Sequence, residues 1–361
     1  MASPIKPSHA LTYLRQICCS GLSREITIAE FLKALPMLIP SNSNIFTFYS
    51  EQLCPTYSIT GFDVADLAPI IPSILNDFHS PQRQQRLLTW FSRYPAISHP
   101  RAVDESFYMT DLYNLIYRQF DMHHFLFTRI PLDKKSNGIV GLFRPRSQKP
   151  FENRDQAQLM RLVPYVAHAH RVGSDAAPEF SQDGMSGMMI MNTKGAILYQ
   201  SSEAKRLLEQ ARHPRLLAEM RQQDRLLVKL TELCRNLQGI YRGHELPPPS
   251  FSHTGPNGQF LFHAYWLDSC GQQPDGLIGI SIEHREPLAL KILRAMHLSP
   301  LSPTQKEVAL LLAQGLAPEQ IRSHLHIKPT TLKDHIGKIY LKLDIHQREE
   351  LLPKLLTFGH A

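Results

Sequence analysis

The run "LSPTQKEVALLLAQGLAPEQIRSHLHIKPTTLKDHIGKIYLKL", residues 301–343, leaves the chain little choice of local structure, because helix starts and stops recur in it at close intervals. Ser302 and Gln305 bracket Pro303 as a capping box with proline at the first helical position. Val308, Leu311 and Leu312 supply an apolar face, and Gly315 stands where that helix would stop. A short second helix is expected from about Pro318 through Ile321 and Leu325. Pro329 then presets φ for a third helix, along which Leu332, Ile336, Ile339 and Leu343 recur at spacings of four, three and four and form one apolar stripe. Only His326, Ile327 and Lys328 separate the second helix from the third. That is a helix-turn-helix arrangement, whose second helix can enter a major groove. Beyond it Asp344 starts a turn, and Arg348, Leu351 and Leu352 suggest a fourth short helix.

Opposite the stripe, the third helix carries Thr330, Thr331, Lys333, Asp334, Gly337, Lys338 and Lys342. Taken alone, such a face reads equally as a solvated surface. The spacing from Leu301 to Leu351 closely resembles the LuxR-type DNA-binding domain, a resemblance that covers about a seventh of the chain. It implies that Pro318 to Leu325 is a scaffold helix, Thr330 to Lys342 the recognition helix, and the last helix a dimerisation surface. Within that frame Lys333 is expected at a guanine edge, and Thr330, Thr331 and Lys338 at phosphates. His335 matches a histidine common in the family and is either a structural residue or a phosphate-facing one. The chain departs from the pattern at Lys328 and Ala317, where a small polar cap is usual, and at Asp334 and Gly337 on the groove-facing side. Asp334 only accepts hydrogen bonds, so it would read a cytosine amine or repel phosphate, and Gly337 lets backbone approach closely.

The composition agrees with a polyanion partner without requiring one. The chain has 361 residues, 43% of them hydrophobic, and a formal charge of +7. Residues 301–361 hold eight Lys and Arg against six Asp and Glu, a net of only +2. One such module would bind modestly, so two copies on a two-fold operator are expected. Cys18, Cys19, Cys54, Cys234 and Cys270 are odd in number with no C-x-x-C pair, which suggests neither a disulfide framework nor a zinc site. A reduced cytoplasm suits them. Vicinal Cys18 and Cys19 read either as an oxidant sensor or as packing residues on an amphipathic helix. No apolar run reaches about 18 residues, and a soluble cytoplasmic protein with no membrane contact is expected.

Upstream the fold class expected is multidomain α+β: two α/β sensor-type domains ahead of the all-α four-helix unit. Residues 173–186, "GSDAAPEFSQDGMS", read as a linker. After it, "GMMIMNTKGAILYQSSEAKRLLEQ" reads as strand, turn at Asn192 to Gly195, strand, and a helix from near Ser202, while "GQFLFHAYWL" and "DGLIGISIEH" are later strands. This order resembles a PAS-like domain. Before the linker, "HHFLFTRIPLDKKSNGIVGLFRPRSQKPFENRDQAQLMRLVPYVAHAHR" reads as strand, turn at Ser136 to Gly138, strand, and a long helix from about Asn153. That ending resembles a GAF-like sensor domain. The boundaries expected are 1–172 (GAF-like), 173–186 (linker), 187–294 (PAS-like) and 295–361 (LuxR-type).

Either sensor fold offers one sheet face for a ligand pocket, with Phe262 and Trp266 as aromatic lining candidates. Trp90 and Tyr94 reproduce a W-x-x-x-Y spacing seen in acyl-homoserine-lactone receptors of this regulator class, but Asp104 falls one residue late for it. Two aromatics four apart also suit a helix core. His123, His124, His168 and His170 have no acid or cysteine at a fixed interval, so no metal and no cofactor is expected. A phosphorylation-driven receiver domain is excluded, since the first sixty residues offer only Glu25, Glu30 and Glu51 as acids. No G-x-S-x-G, H-E-x-x-H, Walker or dinucleotide-binding motif occurs, and no catalytic residue is assigned. The chain is therefore expected to be a dimeric DNA-binding regulator, not an enzyme, that senses a small-molecule or protein signal. The competing reading is a constitutive regulator whose upstream domains dimerise or contact RNA polymerase.

Overall fold

The computed structural model describes residues 7–51, 55–61, 85, 89–94, 96–98, 105–133, 136–173, 178–182, 184–212, 225–267 and 276–358. They divide into two compact units, Met1–Glu286 and Pro287–Ala361.

The first unit holds two antiparallel five-stranded sheets. One is built from β1 (Ser43–Ser50), β2 (Pro55–Thr60), β3 (Ala96–Ser98), β4 (His124–Pro131) and β5 (Ser136–Arg144), in the order β2-β1-β5-β4-β3. Phe46, Leu126, Val140 and Leu142 are fully buried. They share a face with Asn44, whose Nδ2 donates to Leu32 O in α2 (Arg24–Ala34), and with Phe48, whose ring meets His170 of α4 (Val163–Val172). α1 (Pro7–Cys18) packs on α2 and α4. A side chain at Gly138 would strike the Phe46 ring, so β5 passes β1 closely only because that residue is glycine. The opposite face carries Tyr49, Phe127 and Ile139 against Phe91, with Phe143 edge-on to Tyr117. Helical segments thus cover this sheet on both sides.

Ser136 to Gly138, read from sequence as the turn, are the first residues of β5 and pair with Ser50, Tyr49 and Phe48. The turn lies upstream, where the Asp133 carboxylate accepts from Ser136 N at 2.7 Å and from its hydroxyl at 2.6 Å. The helix expected from Asn153 is two, α3 (Asn153–Met160) and α4. Pro164 lacks the N–H that an unbroken helix would need there.

The second sheet comprises β6 (Met185–Asn192), β7 (Ile197–Gln200), β8 (Ser250–Gly255), β9 (Gly258–Leu267) and β10 (Leu277–Arg285), ordered β7-β6-β10-β9-β8. The turn between β6 and β7 is the expected one: Asn192 Oδ1 accepts from Lys194 N and Ala196 N, and Gly195 takes φ +87°. Ser201 caps α5 (Ser202–Ala211) through Ala204 N. α5 and α6 (Arg225–Tyr241) press Leu207, Leu208, Leu230, Leu233 and Leu237 onto Met189, Met191, Phe260, Ile278, Ile280 and Ile282. β8 and α6 were not read from the sequence. Of the linker, Met185 and Ser186 belong to β6 and Ser181 N bonds Glu286 O, while 174–177 and 183 lie outside the described residues.

The second unit is all helical: α7 (Leu288–Leu298), α8 (Pro303–Ala313), α9 (Pro318–Leu325), α10 (Pro329–Leu343) and α11 (Leu351–Thr357). Its core runs from Ile292, Ala295 and Met296 through Val308, Leu312, Ile321, Leu332, Ile339 and Leu343 to Leu351 and Leu355. α7, which begins before residue 295, is therefore part of this unit. Among the described residues no helix is long and apolar enough to cross a membrane.

Candidate nucleic-acid interface

The first cap of the helix-turn-helix unit is made by the side chains the spacing singles out. Ser302 Oγ accepts from Gln305 N at 3.4 Å, and Gln305 Oε1 accepts from Ser302 N at 2.9 Å. Ala317, with no acceptor of its own, is compensated by Gln320, whose Oε1 accepts from Ala317 N at 2.8 Å. α9 ends on His326, left-handed at φ +52°, and α10 begins after Lys328, which makes no side-chain cap bond. With proline at the first position and no side-chain cap, the first-turn amides of Thr330 and Thr331 have only an external acceptor to meet.

On α10, Leu332, Ile339 and Leu343 are buried, and Ile336 and Tyr340 partly so. Thr330, Lys333, Asp334, Gly337 and Lys338 are exposed. Thr331 and His335 are half-buried at the flanks. His335 Nδ1 is covered and has no hydrogen-bond partner among the described residues. Lys338 Nζ lies 2.7 Å from Asp334 Oδ2, a pair one helical turn apart with both side chains more than half exposed. The outward face therefore presents one uncommitted ammonium, Lys333, and one held by a neighbouring carboxylate.

Lys342 stands apart from its expected companions. Its ammonium donates to Gln305 Oε1 at 3.0 Å and to Pro300 O at 3.3 Å, tying α10 to the start of α8. Lys306 donates to His297 O, and burial pushes its amine below the ordinary lysine value. Arg348 Nη2 donates to Leu312 O and Leu316 O, closing the end of α8. Three of the eight cations counted in this segment thus serve the fold. Leu341, 83% exposed on the same side as Lys333 and Gly337, was missed. Its place off the stripe of Leu332, Ile336, Ile339 and Leu343 is the signal that finds it.

The residues singled out upstream do not form one site. Phe262 has no exposed surface and stacks on Phe251 at 4.7 Å, so it fills the core. Trp266 packs beside that core with its ring stacked on Tyr241. Trp90 is half-buried and Tyr94 is 42% exposed, while Asp104 lies outside the described residues. Burial pushes the Cys18 thiol up to about 12 and the Cys234 thiol up to about 11, which suits packing and suppresses the reactive thiolate. Cys54 and Cys270 lie outside the described residues.

Residues 299–354 match the luxR family of bacterial regulatory proteins, and this segment is a LuxR-type helix-turn-helix domain. No curated protein matches the chain. Among solved structures, the VqsR LBD domain from Pseudomonas aeruginosa is 16% identical, covering 46% of this chain and 93% of its own, with a TM-score of 0.33. The Vibrio cholera VqmA–ligand–DNA complex is 15% identical, covering 50% of this chain and 86% of its own, with a TM-score of 0.22. At TM-scores this low neither likeness bears on how this chain is arranged.

Proposed function

We propose that this chain, whose residues 299–354 form a LuxR-type domain, is a sequence-specific transcription regulator that reads double-stranded DNA as a homodimer. The observation that carries the reading is the outward face of α10, with Thr330, Lys333, Asp334, Gly337 and Lys338 presented just after a three-residue turn. Lys333 reaches guanine O6 and N7. The first turn at Thr330 and Thr331, together with Lys338, holds phosphates. Asp334 accepts from a cytosine amine, and Leu341 offers apolar contact to a thymine methyl. The segment's net charge of +2 argues for two copies on one operator.

Residues 1–172 carry a GAF-like module, and the sheet of β6 to β10 with α5 and α6 is a PAS-like one, and together they sense a small-molecule or protein signal. Such a signal acts through its different affinity for two dimer arrangements. For the second sheet a specific observation favours a scaffold instead: Phe260, Phe262, Ile280 and Ile282, on its helix-covered side, have no exposed surface. In that reading the module dimerises or contacts RNA polymerase.

Selecting bound fragments from genomic DNA with the purified protein yields the operator, and two variants then test the contacts. Lys333→Ala should weaken operator binding by about 1–3 kcal/mol and leave random duplex little changed. Lys338→Ala should weaken all duplexes and flatten the salt slope by about one unit. Identical behaviour of the two variants would undo the division into base and phosphate contacts. Operator affinity that ignores every candidate signal would leave the scaffold reading standing.

A further inference from the structure

Between β3 and β4 the chain makes a 3₁₀ turn, Glu105–Met109, and then a π-helix, Leu112–Tyr117. The widened turns are closed by Arg118 N to Tyr113 O at 2.8 Å and Met122 N to Tyr117 O at 2.7 Å. Asn114 Nδ2 donates to Tyr108 O and Thr110 O, fixing the turn to the helix. Asp121 follows at φ +52°, a left-handed conformation for a residue with a side chain. π-helical turns and left-handed non-glycine residues both cost energy, and both concentrate where a chain shapes a binding site.

Against the end of β5 this segment borders an open pocket of about 520 Å³, lined by Tyr108, Tyr113, Asn114, Arg118, His123 and Arg146. Its volume falls in the range of small-molecule sites. The Tyr108 ring stands edge-on to Tyr113 at 4.9 Å and stacks on His123 at 5.7 Å, and Tyr113 Oη lies 3.0 Å from His123 Nδ1. The described lining holds two guanidinium groups and an imidazole but no carboxylate. Neither Arg118 nor Arg146 makes an ion pair among the described residues. Asp121 is turned to the backbone N–H of Arg146. Burial first, then the charges of His124 and Arg146, hold His123 below its ordinary value, with Asp121 opposing. Two guanidinium groups whose side chains have no carboxylate partner among the described residues favour a bound anion, and tyrosine walls favour a flat ring.

We propose that this pocket binds a small aromatic carboxylate, its carboxylate held by Arg118 and Arg146 and its ring against Tyr108 and Tyr113. The test uses the full chain with no DNA present, so a failure leaves the DNA-binding reading untouched. Benzoate is the probe, titrated calorimetrically, with benzyl alcohol, cyclohexanecarboxylate and inorganic phosphate as comparisons. Saturable one-to-one benzoate binding is expected, at least about tenfold tighter than for benzyl alcohol, and weakened about tenfold by Arg118→Ala or Arg146→Ala. Both arginines are exposed, so the variants should keep the parent's melting temperature. A lack of saturable benzoate binding, or binding indifferent to the double arginine variant, overturns the site. Phosphate or cyclohexanecarboxylate binding as tightly as benzoate overturns the aromatic assignment.

Discussion

Gly337 sits on the exposed face of α10, and a Cβ there would meet nothing within 4 Å beyond the helix's own adjoining backbone. Glycine inside a helix costs about 0.5–1 kcal/mol relative to alanine, so the residue weakens the unit and relieves no crowding within it. Crowding from outside accounts for it, as when a duplex backbone lies against the helix. Gly337→Ala should therefore stabilise the second unit by about 0.5–1 kcal/mol in urea denaturation while weakening operator binding. An alanine variant that binds as well as the parent would take Gly337 out of the interface. Asp334 poses a related question, because its carboxylate occupies the Lys338 ammonium at 2.7 Å. Pairs of this kind contribute only about 0.3–0.5 kcal/mol to a helix, and a phosphate competes easily for the lysine. Asp334→Asn should tighten binding to random duplex and steepen its salt slope by up to about one unit, while the operator loses the carboxylate that accepts from its cytosine. A slope that stays unchanged would mean that Lys338 reaches no phosphate.

At the end of α8 a distant side chain joins the backbone bonds that close the helix. Arg348 Nη2 donates to Leu312 O and Leu316 O at 3.0 and 2.8 Å, satisfying terminal carbonyls and placing positive charge at the negative end of the helix. Arg348→Ala should cost about 1–3 kcal/mol in the unfolding of the second unit, whereas Arg322→Ala, on the exposed side of α9, should cost almost nothing. Equal losses would show that Arg348 acts as a general charge and not as a clamp. This role could not be read from the sequence, since Arg348 meets α8 more than thirty residues away. What could be read was local: the Ser302–Gln305 box, Pro303, Gly315, and the stripe of Leu332, Ile339 and Leu343, each fixed by neighbours within one or two helical turns. The same locality explains the misreadings. Ser136 to Gly138 carry turn-forming residues, yet cross-strand pairing with Phe48 to Ser50 and capture of Ser136 by Asp133 draw them into β5. β8 was passed over because its serines, histidine and threonine break the apolar alternation of an edge strand. The π-helix over Leu112–Tyr117 left no signal at all, since its apolar residues suit an ordinary helix equally well.

Taken whole, the chain carries a formal charge of +7, of which residues 301–361 supply only +2, so most of the excess positive charge lies upstream of the helix-turn-helix. Titration of buried groups in that upstream unit sets limits on its stability from both sides. Burial lowers His123, His124 and His170 from the ordinary value of 6.5. Above that value these rings are neutral whether the chain is folded or not, and they contribute no pH dependence. As pH falls through 6.5 the unfolded chain takes up protons that the folded one refuses, so stability must decline until the folded rings titrate. On the alkaline side the sign follows from thiols: Cys18 and Cys234 are raised from 9.0 to about 12 and about 11. Above pH 9.0 the unfolded chain loses thiol protons that the folded one keeps, and stability declines again as pH rises toward those values. Denaturation of the first unit should thus show a plateau between about pH 6.5 and 9 with losses on either side. Cys234→Ala should reduce the alkaline loss specifically, because it removes one of the two buried thiols among the described residues while leaving the histidines in place. A stability that holds constant as pH is lowered well below 6.5 would mean the three imidazoles are as well hydrated in the fold as outside it, and the burial argument for His123 would fail with it.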